Sequence, residues 1–149
     1  QGNPDIVYCG SLVHNQGQEP KVLMRDFQTA MLRRGKMPTN LQSCWFRHDA
    51  LQKEGGFNAK YQILADLDLL CSISKKDSFK VAFTPRVLVD DERRRSHYRV
   101  PFRWMQESFR IILRHFGLFR ALRWFLSLKP RELFSHLWQS IKKSFFIGH

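Results

Sequence analysis

A chain of 149 residues with 43% apolar and 13% aromatic side chains is long enough to bury one core and too apolar for wholesale disorder. Its 25 Lys and Arg against 13 Asp and Glu give a net charge of +12, which points to a polyanionic partner: nucleic acid, anionic lipid or a phosphorylated substrate. Three cysteines, Cys9, Cys44 and Cys71, form no CxxC pair, so neither a disulfide framework nor a zinc site is expected, and a reducing, cytoplasmic setting fits.

In chain order, residues 4–10 read as a short buried strand, introduced by Pro4 and closed by Gly10. Residues 11–14 and 20–25 are strand-like, and the Asn, Gln and Gly between them have the turn chemistry of a hairpin. Asp26 is placed to cap a helix over 27–34, ended by Gly35 with Pro38 beyond. An aromatic strand over 41–47 follows, then a short helix over 50–54 capped by His48 or Asp49 and stopped by Gly55 and Gly56. Residues 57–62 form a loop, and 63–74 a Leu-rich helix. Two strands, 79–83 and 86–89, are separated by Thr84 and Pro85, and the charge run 90–95 reads as a solvated loop.

From Pro101 the apolar period becomes helical. Phe102, Met105, Phe109, Ile112, Leu113 and Phe116 form one face, with Arg103, Gln106, Glu107, Arg110 and Arg114 opposite. Gly117 breaks this helix; a second spans 118–128 and a third 131–145. From Arg99 to His149 there are ten Lys and Arg against Glu107 and Glu132, so the last third holds +8 of the excess charge. No apolar run approaches the ~20 residues that cross a bilayer. The first residue is Gln and no leader pattern follows it, so a piece of a longer protein is expected.

The one place with closely spaced carboxylates in an apolar setting is Asp66-Leu67-Asp68. Three readings are open from the residues alone. The pair spells D-x-D, a pattern that holds a divalent metal on a nucleotide's phosphates. Alternatively Asp66 caps the Leu-rich helix and Asp68 favours its positive end. Thirdly, one carboxylate is a general base, partly desolvated by its Leu-rich surroundings.

Four motifs in register carry a resemblance over about residues 4–97: Pro38-Thr-Asn-Leu-Gln42 with Trp45-Phe46-Arg47, then Gly55-Gly56-Phe57-Asn58, then Ala65-Asp66-Leu67-Asp68-Leu69, preceded by Pro4-Asp-Ile-Val-Tyr8. Together they resemble the acceptor-side half of a family 2 glycosyltransferase of the subfamily that makes bacterial surface polysaccharides. Its pattern has His where this chain has Leu41 and Asp where it has Asn58.

The resemblance implies an α/β fold, the C-terminal part of a GT-A (Rossmann-like) domain over 1–97, with a basic amphipathic helical tail over 98–149. It implies inverting transfer from a nucleotide-sugar donor to a glycan or lipid-linked acceptor, with this chain inactive alone; the alternative reading is a non-catalytic basic module that binds a membrane surface or nucleic acid. Asp66 is the expected base, and Gln42, Trp45, Gly55, Gly56, Asp68 and His97 are expected around the substrates. A divalent metal, Mg or Mn, is expected in the full-length enzyme, with its ligands mainly outside this chain and none of them in the D-x-D here. The basic tail over 101–149 suits an anionic membrane surface, on the inner face of the cell membrane, better than nucleic acid.

Overall fold

The computed structural model describes residues 3–15, 18–93 and 101–128 as a mixed α/β fold, a four-stranded sheet with helices packed on it. The central strand is β1 (Ile6–Asn15), which continues through Gly10 instead of ending there. β2 (Lys21–Leu23) pairs antiparallel with residues 11–13 of β1, the expected hairpin. β3 (Cys44–Phe46) pairs antiparallel with residues 6–8, and the preceding Leu41–Ser43 is a 3-10 turn where strand was expected.

The two strands expected after residue 78 are one, β4 (Val81–Arg93), parallel to β1 along its whole length. Thr84 and Pro85 do not break it because they sit where the register jumps from Tyr8↔Phe83 to Gly10↔Val87. A bulge leaves residues unpaired, and proline, which has no N–H to give a ladder, fits there. The same bulge explains Gly10: a Cβ at this position would stand 3.2 Å from Val87 Cγ2 and 3.4 Å from the Arg86 carbonyl oxygen. The acidic start of the charge run also belongs to β4, not to a loop. Asp90 lies 2.6 Å from His14 Nε2, and Asp91 accepts a hydrogen bond of 2.5 Å from Asn40 Nδ2.

Helix α1 (Thr29–Leu32) is shorter than expected and begins after Gln28, leaving Asp26 exposed outside it; Gly35 ends it as expected, donating to the Leu32 carbonyl at 2.9 Å. Then come α2 (His48–Lys53) and α3 (Ala65–Ile73), whose Leu67, Leu70 and Ile73 are buried against Ile6 of β1 and Leu32 of α1. Each such side chain contributes about 1.5–3 kcal/mol of burial.

α4 (Pro101–Phe116) and α5 (Leu118–Leu126) meet at Gly117. Ile111 of α4 is fully buried in the same cluster as Ile6 and Leu67, so α4 packs on the core. The apolar face of α4 is also turned from its expected position: Phe102 and Leu113 are exposed, while Glu107, Ser108, Ile111 and Ile112 are buried. α5 is pinned by Trp124, whose indole Nε1 donates to the Arg34 carbonyl at the end of α1 at 3.2 Å. The helix expected over 131–145 lies outside the described residues.

Candidate active site

The start of α3 is positioned from two directions. From the chain side, α2 ends in paired bonds, Gly56 N–H to the Leu51 carbonyl at 3.0 Å and Gly55 N–H to Gln52 at 2.9 Å. Both glycines have positive φ, 78° and 70°, and both face open space, so backbone conformation alone explains them. They reverse the chain into the loop that leads to α3.

From the other side, α4 reaches over. The residue before α3, Leu64, has no capping side chain. The buried carboxylate of Glu107 supplies the cap from a distance, accepting the N–H groups of Gln62 (3.1 Å), Ile63 (3.0 Å) and Leu64 (3.0 Å), with Arg103 3.4 Å away. Burial alone would raise its pKa; the three N–H bonds and the Arg103 charge outweigh it and hold it below the ordinary value.

Asp66 and Asp68 stand in the first turn of α3 and have opposite environments. Asp68 is 6% exposed. It accepts from His115 Nε2 at 2.6 Å, Asn58 Nδ2 at 3.1 Å and Arg114 Nη1 at 3.3 Å. Burial pushes its pKa up, yet His115, Asn58 and Arg114 together hold it below the ordinary value. An ionised carboxylate only accepts, so the shared proton sits on His115 Nε2. Asn58 donates its amide to Asp68, where a second carboxylate would repel it.

Asp66 is half-buried, and among the described residues it has no ion-pair partner; its carboxylate accepts the Leu67 N–H at 2.7 Å. Desolvation dominates and raises its pKa, with backbone N–H bonds offsetting only part. The two carboxylates therefore do not converge on one ion, and no cluster of three or more metal-ligating side chains occurs among the described residues.

Cys44 of β3 lies near Asp66. Burial, then the charges of Asp66 and Cys9, push its thiol up to about 12, and burial with Asp68 nearby does the same for Cys71. Both thiols are expected to resist alkylation by iodoacetamide at pH 8 until the protein unfolds, because the thiolate is the nucleophile. Rapid native labelling of either would contradict this burial.

The other residues expected at the site are dispersed. Phe46 packs toward the core and Cys44 faces Asp66, so Trp45 between them points to the opposite side of the sheet, 50% exposed. Gln42 is exposed on the 3-10 turn, Gly55 and Gly56 shape the approach to α3, and His97 lies outside the described residues. A cavity of about 420 Å³ lined by Asp5, Arg47, Lys53, Glu54, Lys76 and Lys80 does not include Asp66. Its acids are already paired, Asp5 with Arg47 and Glu54 with Lys76.

Glu107, Arg114 and His115 were not anticipated here. Their partners lie more than 40 residues away, and the one available signal was that Glu107 is the lone acid of two basic helices. Asp68→Asn is expected to lower stability by about 1–2 kcal/mol at pH 7, a modest loss because Arg114 stays solvated. The native pKa of Asp68 is depressed, so its contribution is fully present above the unfolded value of about 3.9 and fades as pH falls through the native one. The gap between wild type and variant in thermal melts should close over that range; a constant gap would mean that the charge of Asp68 is not what ties α3 to α4.

The chain matches no protein-family model, no curated protein and no solved structure.

Proposed function

We propose that this chain is the acceptor-side part of an inverting glycosyltransferase of the GT-A type, in which Asp66 is the general base. The observation that carries the reading is the contrast between two carboxylates in the first turn of the same helix. Asp68 is tied up by Asn58, Arg114 and His115, whereas Asp66 has no ion-pair partner among the described residues and has a raised pKa. A carboxylate made more basic by desolvation is suited to accept the proton of an attacking hydroxyl.

In the reaction envisaged, the acceptor hydroxyl loses its proton to Asp66 as its oxygen bonds to the anomeric carbon. The bond from that carbon to the nucleoside diphosphate breaks on the opposite face, inverting the centre. The acceptor is a glycan or lipid-linked glycan. The donor site and the Mg or Mn expected with it belong, in this reading, to a nucleotide-binding half outside the chain; the proton transfer assigned here is Asp66's own.

The test uses the full-length protein with UDP-, GDP- and dTDP-sugars as donors and membrane glycolipid extracts as acceptors, following nucleoside diphosphate release. Asp66→Asn is expected to bind donor as the wild type does and to lose transfer by about 10²–10⁴-fold. Transfer at the wild-type rate would remove the base assignment.

A further inference from the structure

α5 carries apolar side chains on two sides. Ala121 and Trp124 face inward onto Ile112 of α4. Leu118, Phe119, Leu122, Phe125 and Leu126 recur at the spacing of one contiguous stripe on the remaining surface. This stripe is exposed: Phe119 is 74% and Leu126 81% accessible. So much large apolar surface on one helix marks a contact surface, not a scatter of single residues. The bond from Trp124 to the Arg34 carbonyl holds the opposite side of the helix to the core, which keeps the stripe turned outward.

Charge says what meets it. At 100° per residue, Arg123 borders the stripe beside Phe119, Arg120 lies beyond it toward Trp124, and both are exposed. Arg103, Arg110 and Arg114 of α4 are exposed as well. The one acid of the two helices, Glu107, is buried beneath the start of α3, so the exposed ionised side chains of α4 and α5 are all cationic. A second copy of the same face would bring like charges together. A nucleic acid would pair with the arginines but leave the stripe in water.

We infer that α5 docks in the interface of an anionic lipid bilayer, with the stripe toward the acyl chains and Arg123 at the headgroup phosphates. No helix among the described residues is long and apolar enough to cross a membrane, so the contact is a surface one. Docking through α5 stands apart from the assignment of Asp66, and Asp66→Asn should leave it unchanged.

The test is co-sedimentation of the chain with phosphatidylcholine vesicles, with and without phosphatidylserine, alongside sedimentation velocity without lipid. Wild type should partition onto the phosphatidylserine vesicles, less so at high salt. Phe119→Glu with Leu126→Glu should lower that partitioning by about tenfold or more, without altering the thermal melt, because both side chains are already in water. Arg123→Glu should weaken binding to anionic vesicles and flatten its salt dependence. Unchanged partitioning of the Phe119/Leu126 variant would overturn the inference. So would a dimer that the same variant dissolves, or a DNA duplex that strips the wild type from the vesicles.

Discussion

Asp66→Asn should make the protein more stable at pH 7 while it removes transfer. Burial raises the native pKa of Asp66, so the ionised side chain is less favourable in the folded than in the unfolded protein. Below the unfolded value of about 3.9 the group is protonated in both states and carries no penalty. As pH rises through the raised native pKa the penalty develops in full. An amide of the same shape avoids it, and the expected gain in melting temperature at pH 7 is about 2–4 °C. Melts of wild type and Asp66→Asn should converge at acid pH and separate toward neutrality. A variant that melts lower than wild type at pH 7 would mean that the carboxylate stabilises the helix start, the ordinary role of an acid in a first turn.

Glu107→Gln should have the largest effect on folding. The carboxylate accepts three N–H groups ahead of α3 and is buried, so an amide replaces one accepting oxygen by an NH₂ that faces other donors. The expected loss is about 3 kcal/mol, or about 10 °C in melting temperature. The sign of its pH dependence is opposite to that of Asp66. The native pKa of Glu107 is depressed, so its stabilisation is present above the unfolded value of about 4.3 and lost as pH falls through the native one. Wild type should therefore approach the variant in acid. Glu107→Gln should also expose the amides of residues 62–64 to hydrogen exchange before the sheet exchanges. Protection equal to wild type at these amides would show that α3 does not depend on a cap supplied by α4.

What was legible in the sequence follows the range of the interactions involved. Gly55-Gly56 and Gly35 marked helix ends because the signal lies in the residues that terminate the helix. The hairpin of β1 and β2 and the breaks around α4 and α5 were likewise local. Thr84-Pro85 misled because a parallel partner accommodates it in a bulge, which no local pattern announces. Glu107 was placed on the solvent face by periodicity, yet unsatisfied N–H groups far along the chain draw it inward. At the candidate site, Asp66 and Asp68 were found as a pair, but their separate environments come from Arg114 and His115, which sequence spacing does not connect to them.

The most direct measurement is nucleoside diphosphate release by the full-length protein on addition of acceptor, compared between wild type and Asp66→Asn at a temperature where both are folded. The variant is expected to melt no lower than wild type, to bind donor and to release diphosphate about 10²–10⁴-fold more slowly. Release at the wild-type rate from a folded Asp66→Asn protein would contradict the assignment of Asp66 as the base.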